Sequence, residues 1–273
     1  MAVVVLGLFE SRQSTDLAAA TQLLQPHESP VLQSWAIEVL QSVRQRETGF
    51  QLLSGWSGQS PELRNQVLEA ILQRPDWTRI LIEQLESGDV ATQSIGSQHR
   101  HRLTIHRFPD IRVKAIQLFG QAGADRKKVI EDYADALSLD GSSTRGKLLY
   151  DKSCASCHET ATQTHPLAPH LSEVTRRDPE QFLIDILDPN RSIEPKYQQF
   201  TITTESGESV TGLIGADTER AISVIDSQGA VSILPRETIL SMQSGPSFMP
   251  EGLEKELTPQ QMADLLAYLM QNL

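Results

Sequence analysis

The sequence predicts a mainly α chain of two domains. Residues 1–137 read as an array of helical repeats. Residues 138–273 read as a second helical domain, interrupted at about 197–243 by a small antiparallel β meander or open barrel. Three observations lead there. Helix starts of one kind, a cap followed by proline and an apolar stripe, recur through the first half. A polar step rich in Gly and Ser, Ser138-Leu139-Asp140-Gly141-Ser142-Ser143, divides the halves. Beyond residue 199 the apolar spacing changes from helical to alternating, broken by turn sequences. A length of 273 residues suits two domains.

In the first half, Ser29-Pro30-Val31-Leu32 opens a helix with Trp35, Ala36, Val39 and Leu40 on one face. Ser60-Pro61-Glu62-Leu63 opens another, with Val67, Leu68, Ile71 and Leu72, and Phe108-Pro109-Asp110-Ile111 a third, with Ala115, Ile116, Leu118 and Phe119. The first two starts are spaced as in a solenoid and the third is not, so the array is irregular. It resembles the HEAT-type α-solenoids, which implies partner binding or bracing of a neighbouring domain, with pure scaffolding an equal alternative. His99, His101 and His106 alternate with Arg100, Arg102 and Arg107 in a stretch that reads as a solvated connector. The arginines would repel a bound cation there.

In the second half, Ser143 or Thr144 can cap a short helix starting near Arg145. Gly146 and Tyr150 share one of its faces, where a glycine admits a second helix closely. The partner expected is the last helix, opened by Thr258-Pro259 and carrying Met262, Leu265, Leu266, Leu269 and Met270. Residues 179–188 read as another helix, ended by Pro189-Asn190. Phe200 to Thr204, Val210 to Ile214, Ala221 to Ile225 and Val231 to Leu234 read as strands, with turns at Glu205-Ser206-Gly207-Glu208 and Asp226-Ser227-Gln228-Gly229.

The chemistry of the chain concentrates in Cys154-Ala155-Ser156-Cys157-His158, a C-x-x-C-H run that is the attachment signature of a c-type haem. Two thiols add to the two vinyl groups of one macrocycle, and the next residue places an imidazole under the iron. One covalent haem c per chain is expected, since these are the only two cysteines. A thioredoxin-like dithiol would sit in a βαβ setting, and a structural zinc site would need four ligands. Neither context is present.

Gly146-x-x-x-Tyr150-x-x-x-Cys154-x-x-Cys157-His158 resembles the opening motif of class I cytochromes c. Ala168-Pro169-His170-Leu171 stands where that family carries G-P-x-L. The resemblance implies that the Pro169 carbonyl accepts a hydrogen bond from the second nitrogen of His158, fixing the ring. The sixth ligand is then expected just ahead of the last helix, where Met249 sits in the loop Ser247-Phe248-Met249-Pro250-Glu251-Gly252-Leu253. His165 and His170 are its rivals. Met242, Met262 and Met270 read as core.

Together with Ile184-Asp185-Ile186-Leu187-Asp188-Pro189-Asn190 and Val210-Thr211-Gly212-Leu213, these stretches resemble the planctomycete-type haem-binding domain, a cytochrome c with a β insertion before its methionine loop. The resemblance covers about the last half of the chain. In that family the domain usually ends a larger secreted oxidoreductase-like protein, so a dehydrogenase domain or subunit is an expected partner.

The function expected is single-electron transfer by a monohaem cytochrome, a carrier rather than an enzyme, with an unidentified redox partner protein. A haem enzyme or a binder of peroxide or a small gas would instead have a labile sixth ligand, and an interaction scaffold would use haem structurally. Charge narrows the partners. Residues 1–136 carry 14 Lys+Arg and 16 Asp+Glu, net −2, and residues 137–273 carry 10 and 19, net −9. An acidic haem domain disfavours nucleic acid and anionic membranes and suits a basic partner. Covalent haem implies a periplasmic or otherwise exported protein. Yet Met1–Phe9 shows no basic n-region or cleavage site, and is too short to span a membrane, so the N-terminus reads as incomplete.

Overall fold

Serine caps set the first helices. The computed structural model describes residues 14–43, 45–121, 126–158, 167–169 and 178–271. After α1 (Ser14–Gln22), α2 (Pro30–Ser42) starts where Ser29 Oγ accepts from the Leu32 amide. A short α3 (Thr48–Leu53) leads to α4 (Pro61–Leu72), which Ser60 caps through the Leu63 amide. Each proline stands where its missing N–H has no helical partner to lose. Beyond the expected helices, α5 (Pro75–Ser87) follows α4 almost at once. Its cap is Arg74, with no side-chain bond, so the usual cap signature is missing. α7 (Pro109–Gln121) is the third expected helix.

The stretch read as a solvated connector is instead mostly helix, α6 (Ser97–Thr104), with His99, Arg100 and Leu103 buried. Its histidines and arginines hide an inward face that polarity alone would not suggest. Leu40, Ile71, Ile80, Leu81 and Leu103 are fully buried and join one core that runs from Leu17 to Phe119. Complete burial of such a side chain contributes about 1.5–3 kcal/mol.

A second core begins earlier than the polar step. From α8 (Lys127–Asp132) and the turn after it, Val129, Ile130, Tyr133 and Ala136 pack with residues 150–269. Tyr133 donates to the carbonyls of Glu254 and Leu257, at 2.7 and 2.5 Å. The polar step itself is packed. Gly141 lies so near the Ala263 carbonyl that a Cβ would stand 2.2 Å from it.

α9 (Ser143–Ser153) starts one residue ahead of the expected caps, because Ser142 Oγ accepts from the Arg145 amide. It crosses α12 (Pro259–Gln271) at Gly146, where a Cβ would meet the Asp264 carbonyl oxygen at 1.9 Å. Tyr150 and Tyr268 pack beside it with ring centroids 5.2 Å apart. Asp264 accepts from the Ser142 amide and pairs with Arg145, tying the start of α9 to α12. α11 (Pro179–Leu187), capped by Asp178, buries Phe182, Leu183, Ile186 and Leu187 on the same core.

The β insertion has five strands: β1 (Gln198–Thr204), β2 (Ser209–Asp217), β3 (Ala221–Ile225), β4 (Val231–Pro235) and β5 (Ile239–Ser247). Four form the expected meander. β5, absent from the sequence reading, returns to the far side of β1, giving the order β4-β3-β2-β1-β5, all antiparallel. The sheet is open, and Phe200, Ile202, Ile222 and Val224 carry its buried face.

Three buried arginines join the halves. Arg64 donates to Gln198 Oε1 (2.7 Å) and lies over the rings of Trp56 and Phe200. Arg236 pairs with Asp217 and donates to the carbonyls of Pro26 and Glu28 (2.6 and 2.8 Å). Arg100 donates to the Arg191 carbonyl (2.7 Å). Burial pulls the Arg64 guanidinium pKa down to about 9 and those of Arg100 and Arg236 to about 10, so all three stay charged at neutral pH.

Candidate functional site

α9 ends at Ser153, and the next residue, Cys154, caps it with an amide that still bonds the Tyr150 carbonyl. The chain then makes one tight turn, α10 (Ala155–His158), in which the amides of Cys157 and His158 both bond the Cys154 carbonyl, at 3.1 and 3.0 Å. The turn holds both thiols and the imidazole within five residues. Neither cysteine is in a disulfide. Burial, helped by neighbouring Cys157, pushes the Cys154 thiol up to about 11. A redox dithiol works through a thiol with a depressed pKa, and Cys154 is shifted the other way.

His158 Nδ1 lies 3.0 Å from the Pro169 carbonyl oxygen. A carbonyl can only accept, so Nδ1 carries the proton and Nε2 keeps a lone pair. Burial lowers the His158 pKa and outweighs the opposing effect of that bond, which keeps the ring neutral at pH 7. A neutral imidazole with one nitrogen fixed and the other bare is the form that ligates a metal.

Cys154, His158, Pro169 and Met249 line one cavity. Tyr150, Phe182, Ile186, Phe248, Leu265 and Leu269 make its wall largely apolar. Cys157 packs beside it with Leu167, Leu213 and Ile225. A flat apolar macrocycle with two thioether links and two axial donors fits this donor set: two thiols, a neutral imidazole and a thioether.

The methionine loop is pinned from several sides. The Met249 amide bonds Ser247 Oγ (3.2 Å), the Ser247 amide bonds Asn190 Oδ1 (2.7 Å), and the Phe248 amide bonds the Tyr197 carbonyl (3.0 Å). Gly252, at φ 91°, turns the chain onward in a conformation that favours glycine.

His165 and His170 lie outside the described residues. Met242 and Met262 are core, as expected, whereas Met270 is 42% exposed, being at the last turn of α12. His99 pairs with Glu69 at 3.0 Å. No group of three or more His, Cys, Asp or Glu side chains is arranged to hold a metal among the described residues. Sequence reasoning did not single out Ser192, Ile193, Glu194 and Tyr197, which form part of the cavity wall. Asp188, within the stretch Ile184 to Asn190 that carried the resemblance, is a buried wall residue whose pKa burial raises. No motif marks Ser192, Ile193, Glu194 or Tyr197, because distant contacts bring their segment to the site.

Residues 143–208 match the family model for cytochrome c. The matched stretch runs from the start of α9 through C-x-x-C-H and α11 to the first hairpin, and stops short of Met249. No curated protein matches the chain. The second half thus contains a cytochrome c domain, a haem-binding module of electron transfer. No helix among the described residues is long and apolar enough to cross a membrane.

Proposed function

We propose that this protein is a monohaem c-type cytochrome of the planctomycete type, exported from the cytoplasm, which passes single electrons between partner proteins. The helical first half is read as a HEAT-like brace. The observation that carries the reading is the meeting of Cys154, His158 and Met249 at one apolar cavity, with His158 Nδ1 held by the Pro169 carbonyl.

Cys154 and Cys157 would hold one haem through thioethers, and His158 and Met249 would be its axial ligands. A haem so held supplies one-electron iron chemistry. The residues of the chain do the rest. Pro169 keeps the His158 ring in one tautomer and orientation. Tyr150, Phe182, Leu265 and Leu269 exclude water from the site. The net charge of −9 on residues 137–273 draws a basic partner.

Denaturing mass spectrometry of protein matured in a host that assembles cytochromes c should show the polypeptide plus one haem. Cys154→Ala with Cys157→Ala should remove it. Met249→Ala should abolish the weak red charge-transfer band of sulfur-bound ferric haem and lower the reduction potential, since methionine ligation raises it. Apo-protein alone from the matured sample overturns the reading. A silent Met249→Ala alongside a spectral change in His165→Ala or His170→Ala reassigns the sixth ligand.

A further inference from the structure

The wall of the cavity is not held by the cytochrome c domain alone. The segment from Arg191 to Tyr197 supplies Ser192, Ile193, Glu194 and Tyr197 to that wall. The same segment is gripped from the other side by α6 of the helical half. Arg100 is 9% exposed and spreads its guanidinium over three main-chain carbonyls. Nε bonds Ile95 (2.6 Å) and one terminal nitrogen bonds Thr92 (2.7 Å), both at the base of α6. The other terminal nitrogen crosses to the Arg191 carbonyl (2.7 Å). Phe119 packs under the guanidinium plane, with its centroid 5.0 Å away. Nearby, Ser97 Oγ donates to Glu194 Oε1, and a Cβ on Gly96 would touch the Pro195 ring at 3.0 and 3.2 Å.

The far end of the gripped segment leads to the methionine loop. The Tyr197 carbonyl accepts from the Phe248 amide (3.0 Å), and Phe248 immediately precedes Met249. Asn190, next to Arg191, accepts from the Ser247 amide (2.7 Å) and donates to Glu251. Both ends of the 190–197 segment are therefore bonded to the loop that carries Met249, and its middle is bonded to α6.

We infer that Arg100 is a positioning residue for the sixth ligand: the helical half fixes the 191–197 segment, and that segment fixes the Met249 loop. This rests on the reading of Met249 as the axial thioether. The fork matters more than the charge, because three carbonyls at fixed angles need a planar guanidinium. Lysine offers one compact ammonium in its place. When the grip is lost the thioether should leave the iron part of the time, since a methionine side chain has three rotatable bonds and depends on its loop for position.

The test uses the whole chain with haem attached. The variants are Arg100→Met, Arg100→Lys, Ser97→Ala and, as control, Leu68→Ala. Leu68 is buried in the helical core and is not among the residues that line the cavity, so its truncation destabilises that half while leaving every hydrogen bond of Arg100 and Ser97 to the segment in place. The readouts are the intensity of the sulfur–iron charge-transfer band and the reduction potential, both taken well below the unfolding midpoint. Arg100→Met should at least halve the band and lower the potential. Arg100→Lys should fall between it and the parent, Ser97→Ala should shift both readouts slightly the same way, and Leu68→Ala should leave both unchanged. If Arg100→Met yields no holo-protein, Arg100→Lys and Ser97→Ala decide. A parental band and potential in the Arg100 variants overturns the inference, as does an equal loss in Leu68→Ala. A parent with haem but no sulfur band is a different result, and refutes the Met249 assignment itself.

Discussion

Replacing Gly146 by alanine sets two known effects against each other. Alanine is favoured over glycine inside a helix by about 1 kcal/mol, through backbone entropy. Against that, the new Cβ would stand 1.9 Å from the Asp264 carbonyl oxygen, 2.6 Å from its carbon and 2.8 Å from Tyr268 Cβ. An ordinary contact at such a point begins near 3.4 Å, so α9 and α12 would have to part by about 1.5 Å. The obstructing atoms are largely backbone of a helix whose next residues, Leu265 and Leu266, are core, so no flexible side chain can swing away. Overpacking of this kind costs typically 1–3 kcal/mol, and the upper end applies where backbone must move. The net expectation is a loss of about 2 kcal/mol. Gly120 in α7 gives the internal comparison: it is exposed, with nothing within 4 Å of an added Cβ. Gly120→Ala should stabilise the helical half by up to about 1 kcal/mol. Urea midpoints of the two variants, followed by haem absorbance and by far-UV dichroism, should move in opposite directions. A neutral or stabilising Gly146→Ala would refute the close crossing of the two helices.

Asp264 should make the second half acid-sensitive. The Arg145 bond, aided by the Ser142 amide and Gln260, holds its carboxyl below the usual carboxylate range despite burial. A depressed folded pKa means the stabilisation is present above the unfolded value of about 3.9 and is lost as pH falls through the folded value. Asp264→Asn should therefore lower the urea midpoint at pH 7, by an amount equivalent to about 2 kcal/mol. It should also flatten the dependence on pH below about 4; a parallel acid limb in both proteins would argue against the ion pair. The second expectation concerns the acidic surface of residues 137–273, net −9. The Debye length shrinks from about 30 Å at 0.01 M salt to about 8 Å at 0.15 M. Electron transfer to a basic acceptor protein should slow over that range, and a rate that ignores salt or rises with it would remove the steering role.

What could be read in the sequence was what local rules determine. Ser29 and Ser60 announced their helices because a cap hydroxyl and a following proline act within one turn. Gly146 and Tyr150 announced a helix crossing because their spacing fixes a common face. The C-x-x-C-H run pointed to a cytochrome c domain, which the family model matches over residues 143–208, and the Pro169 carbonyl lies where the resemblance placed it, against His158 Nδ1. What stayed hidden depends on distant chain. β5 lacks clean alternation, and its pairing with β1 spans the whole insertion, from Gln198 to Ser247, with two register shifts. α6 was missed because its buried face includes His99 and Arg100, residue types usually left in water. The share of the cavity wall between Ser192 and Tyr197 has no motif at all, because its position is set from α6 and from the methionine loop.

Burying a cation is costly unless its donors are satisfied. Arg64 and Arg100 meet that demand without an acidic partner: Arg64 bonds the Trp56 and Ser57 carbonyls and the side-chain oxygen Oε1 of Gln198, and Arg100 bonds three main-chain carbonyls. A carbonyl has a fixed direction in the backbone, so a guanidinium bonded to several of them fixes the relative placement of the segments that own them. Apolar side chains of similar volume would bury as much surface, but would tolerate a slide of one segment over another. The two arginines that act this way reach across to Gln198, at the start of β1, and to Arg191, at the start of the 191–197 segment. Gln198 in turn donates to the Gly245 carbonyl of β5, four residues ahead of Met249. The Arg100 crossing therefore ends on backbone, and the Arg64 crossing on a side chain itself bonded to backbone, and both lead to the methionine loop. An electron carrier gains from such an arrangement, because a ligand set held by its surroundings need not be rebuilt each time the iron changes charge.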